Sequence, residues 1–450
     1  MAKTKSRPRG LGKSAAASTA EAEDSGSARF NPIARTEGDK EGSENAAAVA
    51  TSLSSAEATA KSSDLEMADP QNEETASLAI KGDTGDEMEE LRQTYEAAQK
   101  QFAENGTQEY LRGTIHECDR MVRNCGQDVY PSSEFNFIYA SALHDYSLFG
   151  AELEELDGFV DIALDHIGHA ADLIDKAKDA EWLWKYYILA GKVHLQKADS
   201  LHEKQEKAKS KKQFDKLSKE IELELEQAAN CYEPGFKGVP EGAEKHTVGS
   251  DMKTIEKVPL KPHEMIHAAS TVALHADRFD DYERRTKWNA WAMKILEAVK
   301  ADAPTSVEVF QGLATCLHSI VGWWADQEDD EDEDGGEDSE DDEEQTGDEY
   351  SLPIYSTERG RFSLEALDSI QKAVELAREQ DKLTSDLLTL AAECHLNLVN
   401  IAKTDDAAAK QSKAAIALIK EAMATFPDQS LEERYAELLS EMDEIQQSTE

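Results

Sequence analysis

The stretch Thr384–Pro427, with the sequence TSDLLTLAAECHLNLVNIAKTDDAAAKQSKAAIALIKEAMATFP, decides the fold of this chain. Apolar residues recur every three or four positions from Leu387 to Ile401 and again from Ala415 to Phe426, which is the period of a helix with one buried face. The polar segment Lys403–Asp406 separates the two apolar segments, and Pro427 ends the second one. We therefore predict two amphipathic helices that form an antiparallel hairpin.

The first of these helices has the order large-x-x-large-small-x-x-large, with Ala391 at the small position. The same order occurs in three other segments, which begin at Tyr186, Met265 and Phe310. A small residue at this place lets two helices approach closely, as in tetratricopeptide repeats. Because one hairpin cannot bury its apolar face alone, neighbouring hairpins must stack on it. The pattern predicts an all-α fold, a tetratricopeptide-like helical-repeat solenoid, and proteins of this class mostly bind other proteins.

The composition restricts the classes of partner. The chain has 450 residues, of which 93 are acidic and 48 basic, and its formal net charge is −45. Such a charge repels nucleic acid and anionic membrane surfaces and favours basic protein partners. No apolar run approaches the roughly 18 residues needed to span a bilayer, and no apolar segment of a secretory signal follows the N-terminus. We expect no direct binding of nucleic acid, no membrane segment, and a cytosolic or nuclear location.

Changes in composition along the chain predict its organisation. Residues 1–85 are poor in apolar and aromatic side chains and are predicted to be a disordered tail, whereas residues 86–450 are predicted to form one helical-repeat domain. Within that domain, 17 of the 24 residues in the segment 326–349 are Asp or Glu, which predicts a solvated, disordered insert. Residues 233–261 contain Pro, Gly and Lys without clear periodicity and are predicted to be a long loop.

The first 13 residues are basic, in contrast to the acidic chain as a whole. They contain five basic residues and no acidic one, and the basic residues are Lys3, Lys5, Arg7, Arg9 and Lys13. A basic cluster of this kind is typical of segments that import receptors recognise, so we predict a nuclear-import segment. The alternative is a basic end without a specific role.

The segment His263–His267 reads HEMIH and fits the H-E-x-x-H motif of zinc peptidases. The motif directly follows Pro262, at the start of a predicted helix rather than in its middle. The extended form of the motif requires a Gly and a third His, and the chain has Ser270 and Ala273 at these positions. We therefore predict no catalytic activity, no metal and no cofactor. A zinc peptidase is the alternative from another class of function.

Cysteines and tryptophans give weaker indications. The five cysteines are irregularly spaced and lack a C-x-x-C pair, so they predict neither a disulfide framework nor a zinc module; most lie on apolar helix faces. Trp323 and Trp324 are adjacent near the end of a predicted helix. Because adjacent helical residues face different directions, one ring is expected to be partly exposed, which indicates a contact surface.

A second helix near the N-terminal end of the domain has a clear apolar stripe. The residues of the stripe are spaced four, three, four and three positions apart and are Leu111, Ile115, Cys118, Val122 and Cys125. The polar residues that fall beside or opposite this stripe are His116, Asp119, Arg120 and Arg123.

Two segments resemble a known family. Arg7–Lys13 (RPRGLGK) resembles the basic opening of the fungal enhancers of translation termination, and Gly113–Arg123 (GTIHECDRMVR) resembles the most recognisable helix of that family. The family also includes the negative regulator of a prolyl 2-oxoglutarate dioxygenase in fission yeast. A helical body from about residue 86 to 450 with an acidic interruption fits the same plan. Arg9 and the long tail depart from it.

The resemblance implies a non-enzymatic nuclear adaptor. It implies that the protein binds an iron- and 2-oxoglutarate-dependent prolyl dioxygenase, that it affects translation termination and hypoxic gene regulation, and that the basic N-terminus serves import. In this interpretation the four polar residues on the 113–123 helix form a partner-binding or helix-bridging network, and the alternative is surface charges with capping roles. The alternative function is an acidic nuclear chaperone, or a general interaction scaffold, that binds basic proteins.

Overall fold

The computed structural model of the chain describes residues 86–105, 109–125, 132–148, 153–174, 182–248, 255–333 and 357–426, and a few residues between 431 and 439. Three predictions lie outside these described residues. They are the disordered tail, the basic cluster Lys3–Lys13, and the part of the acidic insert that follows residue 333.

The described residues are mainly helical, which confirms the predicted fold class. The helices are α1 (Glu87–Asn105), α2 (Glu109–Cys125), α3 (Ser133–Ser147), α4 (Leu153–Leu173), α5 (Leu183–Glu206), α6 (Lys211–Gly238), α7 (Leu260–Asp277), α8 (Tyr282–Asp302), α9 (Val307–Glu333), α10 (Glu358–Glu379), α11 (Ser385–Asn400) and α12 (Asp405–Thr425). Two short strands, β1 (Glu244–Val248) and β2 (Ile255–Pro259), lie between α6 and α7. Among the described helices, none has the length and apolar character required to cross a membrane.

Several helices begin at a residue whose side chain satisfies a free backbone N–H group. In the deciding stretch, the Thr384 hydroxyl accepts a hydrogen bond from the N–H of Leu387 at 3.3 Å, and the Thr404 hydroxyl accepts one from Ala407 at 3.2 Å. The same arrangement starts other helices at Ser132, Ser210, Asp281 and Thr357. Each cap contributes about 1 kcal/mol and defines where its helix starts.

The described chain divides into two compact units, and the boundary between them falls between Glu264 and Met265, inside α7. Consecutive helices pack on each other from α1 to α6 in the first unit and from α8 to α12 in the second. In the first unit α1 also contacts α3, and α3 contacts α5; in the second unit α9 also contacts α11. Contacts between a helix and the next but one are what stacked hairpins require. Each unit thus has the packing of a helical repeat.

The small positions of the four repeated segments are all in the core. Ala190, Ala269 and Ala314 have no exposed surface, and Ala391 is 2% exposed. The partner helix of the deciding stretch, α12, buries Ala415, Ile416, Ile419 and Ala422. All four small positions thus lie in the core, where a small residue can bring helices together.

Helices α5 and α6 approach each other so closely that glycine is required at the contact. A Cβ atom added to Gly191 of α5 would lie 2.7 Å from the ring of Tyr232 on α6. A Cβ atom added to Gly235 of α6 would lie 2.8 Å from the side chain of Ile188 on α5. The contact at Gly191 is the harder one to relieve, because Tyr232 is a rigid ring that is itself only 1% exposed.

The loop predicted for residues 233–261 is wrong. Helix α6 continues to Gly238 with Pro234 inside it, and β1 pairs antiparallel with β2, Glu244 lying opposite Pro259. The side chains of Tyr232 and Phe236 stack at 5.2 Å and are buried with Gly235, so packing retains the helix beyond the proline. The two strands have five residues each, too short for a periodic signal in the sequence.

The predicted loop at the acidic insert is also wrong in its first part, because α9 extends to Glu333. The preceding part of α9 is apolar and buried at Ile320 and Val321. Once that part is helical, each further residue adds one backbone hydrogen bond without a new nucleation step. Helix propagation thus outweighs the repulsion between like charges over residues 326–333.

The close contact of α5 with α6 makes a testable prediction. Replacing Gly191 with Ala should lower the free energy of unfolding by about 1–3 kcal/mol, because the added methyl group overpacks against Tyr232. Urea unfolding followed by circular dichroism measures this change.

Gly113 is a matched control, since it also lies within a helix but has no atom within 4 Å of an added Cβ. Gly113→Ala should raise the free energy of unfolding by roughly 0.5–1 kcal/mol, the gain in helix propensity. Equal effects of the two substitutions would show that α5 and α6 do not pack as described.

Candidate partner-binding surface on helix α2

The buried face of α2 differs slightly from the predicted stripe. Leu111, Ile115 and Cys118 are buried as expected, but Val122 is 43% exposed and Met121 is buried in its place. A step of three or of four residues from Cys118 fits a helical period equally well, so the sequence did not distinguish the two. Thr114 is also buried and donates its hydroxyl to the carbonyl of Tyr110 at 3.0 Å.

The four predicted site residues differ in how far they are exposed to solvent. His116 and Arg123 are exposed, whereas Asp119 and Arg120 are half-buried. His116, Asp119 and Arg123 are three or four residues apart and share one side of the helix. Arg112 extends this side by one turn, and its Nε lies 3.4 Å from Nε2 of His116. We call Arg112, His116, Asp119, Arg120 and Arg123 the α2 polar stripe.

Asp119 connects the stripe to the two following helices. Its carboxylate accepts a hydrogen bond from the hydroxyl of Tyr139 on α3, a residue that is 6% exposed. The ring of Tyr139 lies 4.3 Å from the ring of His166 on α4. Nδ1 of His166 is in turn 2.8 Å from Oδ1 of Asn136, which is fully buried on α3. A polar chain thus runs from the edge of α2 through α3 to α4.

The protonation states of His166 and Tyr139 in this series of polar contacts follow from their surroundings. Burial lowers the pKa of His166 to about 3, and the neighbouring His169 contributes to the same direction. His166 is therefore neutral at physiological pH, which fits a ring that packs on Tyr139. Burial, followed by the charge of Asp119, raises the pKa of Tyr139, so its hydroxyl stays protonated and remains a donor to that carboxylate.

Arg120 connects the stripe to α1. Its Nε lies 2.9 and 3.0 Å from the two carboxylate oxygens of Glu117, and Nη1 lies 3.3 Å from Glu87 on α1. A second bridge joins α1 to α3, where Arg92 donates to both oxygens of Glu134 at 2.8 and 2.9 Å. The half-buried members of the stripe thus have structural contacts within the first unit.

The exposed members of the stripe remain available to a partner. Among the described residues, Arg123 makes no ion pair within 4.0 Å, and the contact of His116 is the one with Arg112. Two arginines and an imidazole on one exposed helix side form a basic surface in a chain of net charge −45. Such a surface suits an acidic segment or a carboxylate of a partner protein.

Sequence reasoning found the stripe but missed the residues that hold it. Tyr139, His166 and Asn136 lie on α3 and α4, and nothing in their own segments marks them as part of a site. The available signal was indirect: His166 and Asn136 are polar residues within largely apolar helices, and buried polar groups require partners. Their pairing with α2 depends on the tertiary packing.

The glutamate that would act as the base in a zinc peptidase, Glu264, pairs with a lysine in the structure. Glu264 is 5% exposed, and its carboxylate lies 3.0 Å from Nζ of Lys192 on α5. Helix α7 begins at Leu260, so Pro262 and the motif occupy its first turns, two residues deeper than predicted. In the part of the chain that the structure describes, no three His, Cys, Asp or Glu side chains are grouped as a metal site requires.

Four cysteines whose side chains are described lie in the core, which agrees with the prediction that most cysteines lie on apolar helix faces. Cys118, Cys231, Cys316 and Cys394 are buried free thiols. Burial raises the pKa of Cys316 to about 12 and raises the pKa of Cys394 as well, so both thiols stay protonated. They act as small packing residues.

Comparison with protein-family models matches residues 50–235 to the family described as nuclear pore complex subunit Nro1. The matched range includes α1–α5, with the whole α2 polar stripe, and most of α6. A protein of Debaryomyces hansenii named enhancer of translation termination 1 is 31% identical over 115 residues. That match covers 21% of this chain and 26% of the relative, so this chain spans about a quarter of the relative's length.

Similar solved structures include that of the S. pombe nuclear import adaptor Nro1 in space group P21. Its TM-score is 0.45 at 15% identity, and the match covers 80% of this chain and 99% of that chain. Another is described with the words "the hypoxic regulator of sterol synthesis Nro1 is a nuclear import adaptor"; its TM-score is 0.44 at 15% identity, over 80% of this chain and 93% of that chain.

The lowered pKa of His166 makes stability depend on pH. In the unfolded chain this imidazole has its ordinary pKa of about 6.5 and takes up a proton as the pH falls below that value, while the folded chain does not until about pH 3. Its contribution to stability is therefore present above pH 6.5 and is lost as the pH falls toward 3. Between pH 7 and pH 5, wild type should lose about 1–2 kcal/mol more unfolding free energy than His166→Gln.

Urea unfolding at the two pH values measures this difference in slope. His116→Gln is the control, because it removes a histidine that is exposed on the surface. The same slope for wild type and His166→Gln would contradict the neutral state of the ring.

Proposed function

We propose that the chain belongs to the Nro1 family, whose model matches its residues 50–235, and that it is a non-enzymatic nuclear adaptor. Its proposed activity is to bind a partner protein through the first unit and to enter the nucleus by means of the basic N-terminal cluster. The description of the family as a nuclear pore complex subunit supports the nuclear location. The similarity to an enhancer of translation termination supports an influence on that process.

The single observation that carries the proposal is the α2 polar stripe. Its inner residues Asp119 and Arg120 are held by Tyr139, Glu117 and Glu87, so the helix side is positioned before a partner arrives. Its outer residues, Arg112, His116 and Arg123, are exposed. A rigid helix that presents basic side chains loses little conformational freedom on binding. The stripe also lies within the range that the family model matches.

The partner that we propose is a prolyl dioxygenase dependent on iron and 2-oxoglutarate, as the resemblance of Gly113–Arg123 implies. The chain would contribute contacts and no chemistry to this complex. Through the dioxygenase it would affect hypoxic gene regulation. An import receptor is the second proposed partner, and it would bind the basic N-terminal cluster. Basic client proteins, bound through residues 326–349, are the alternative.

The first test is a native pull-down of the full chain, read by mass spectrometry. His116→Glu combined with Arg123→Glu should reduce recovery of the dioxygenase by about tenfold, which corresponds to roughly 1.4 kcal/mol of binding free energy. Both side chains are exposed, so the double substitution should not change the unfolding transition. Lys413→Glu, at an exposed position of α12, is the control and should leave recovery unchanged.

Two results would contradict this assignment. Unchanged recovery of the dioxygenase would remove the α2 polar stripe from the interface. Recovery of histones or ribosomal proteins in place of the dioxygenase, lost on deletion of residues 326–349, would favour the acidic chaperone.

The import role is tested separately, with the full chain fused to a fluorescent protein in fungal cells. Replacing Lys3, Lys5, Arg7, Arg9 and Lys13 with Gln should abolish nuclear accumulation, because an import receptor recognises their positive charge. The control replaces four exposed lysines at the turn between α5 and α6 with Gln, namely Lys207, Lys209, Lys211 and Lys212. Loss of accumulation in the control alone would assign import to that turn.

A further inference from the structure

Four aromatic rings form a cluster in the second unit. Tyr282 at the start of α8 lies 4.9 Å from Trp323 and 5.1 Å from Trp324, both on α9, and Trp324 lies 6.4 Å from Phe362 on α10. All four side chains are half-buried, so each retains exposed surface. One ring of the Trp323–Trp324 pair was expected to be partly exposed, and both rings are. We call these four residues the aromatic cluster.

The cluster is held in place and already accepts a cation at its edge. Nε1 of Trp323 donates to the carbonyl of Asp280 at 2.7 Å, which anchors one ring to the chain before α8. The guanidinium of Arg361 lies 4.8 Å from the centre of the Phe362 ring. This is the geometry of a cation–π interaction, and it shows that the faces of these rings are compatible with guanidinium groups.

The surroundings of the cluster are acidic. Glu328 to Glu333 are six successive acidic residues, and they form the end of α9. The first of them follows Trp324 by one helical turn, or about 6 Å along the axis. The positive charge of Arg361 is offset by Glu358 at 3.9 Å and Glu365 at 4.0 Å. Aromatic rings that are followed within one helical turn by a run of acidic residues are suited to a segment rich in Arg and Lys.

We propose that the basic N-terminal segment of the same chain, residues 1–13, docks on the aromatic cluster. This segment carries five positive charges and no negative one, so it matches the cluster and the acidic end of α9 in charge. Arg7 and Arg9 supply planar guanidinium groups, which stack on aromatic rings more readily than ammonium groups do. The 72 residues from Ser14 to Gly85 can span up to about 240 Å when extended, so chain length does not limit the contact.

Docking within one chain has a regulatory consequence. A segment held on the aromatic cluster is not accessible to another protein, so the cluster sets the fraction of the segment that is free. This docking does not depend on the role of the segment in import, because it requires only the charges of the segment and the surface described here.

The test measures binding of a labelled peptide, with the sequence of residues 1–13, to the full chain by fluorescence anisotropy. In the receiving chain, the five basic residues of its own segment are replaced with Glu. This charge-reversed chain should bind the peptide about tenfold more tightly than wild type, whose own segment competes. Adding Trp324→Ala to the charge-reversed chain should weaken binding by about tenfold, and Trp324→Phe should restore part of it.

Trp182→Ala in the charge-reversed chain is the matched control, since Trp182 is a half-buried tryptophan of the first unit, and it should not change the affinity. A thermal unfolding curve shows whether each variant is folded. A second variant, Glu328→Gln combined with Asp330→Asn, removes acidic charge but leaves the rings intact, and it should also weaken binding of the peptide.

Two results would overturn the proposal. One is equal affinity of the peptide for wild type and for the charge-reversed chain. The other is binding that weakens with added salt but is unaffected by Trp324→Ala, which would assign it to acidic charge alone. Competition in wild type that grows with protein concentration would place the segment on a second copy of the chain and would equally exclude docking within one chain.

Discussion

The close approach of neighbouring helices is the constraint on which the rest of this structure depends. Gly191 and Gly235 allow this approach where α5 meets α6. The small positions of the repeated segments, Ala190, Ala314 and Ala391, are buried in the core. Only at such separations can a hairpin bury one face on its partner and the other on the next hairpin. The polar contacts of the first unit follow from the same packing, because Tyr139 reaches Asp119 only when α2 and α3 lie side by side.

The sequence predicted the fold class because its signal is local. An apolar residue every three or four positions marks a helix regardless of its neighbours, and four recurrences of one pattern indicate a repeat. The errors occurred where a distant contact decided the local structure. Met121 rather than Val122 faces the core, a choice that the helical period alone does not decide. Helix α6 passes through Pro234 because Tyr232, which stacks on Phe236, packs against Gly191 of α5.

The candidate site was predictable to a smaller extent. The resemblance of one helix to a known family pointed to four polar residues of α2. The sequence did not show which of them are exposed and which are half-buried; the structure does. The supporting residues, above all Tyr139 and His166, come from other helices and have no signature of their own. The chain has few positive charges for its size, 48 against 93 negative ones, and it uses several of them internally, as in the buried pair of Lys192 with Glu264. Groups of exposed basic side chains, such as those on α2 and at the turn between α5 and α6, are therefore candidates for contact with a partner.

The acidic end of α9 has a consequence for the stability of that helix itself. The last carbonyl groups of a helix carry a partial negative charge, so acidic residues in the last turns are unfavourable and basic ones are favourable. Helix α9 ends in six acidic residues, the reverse of the favourable arrangement. Its end is thus the part whose hydrogen bonds open most easily, and any cation that gathers there lengthens the time that they stay closed. The length of α9 should therefore depend on the concentration of cations. Amide hydrogen exchange would measure this dependence residue by residue.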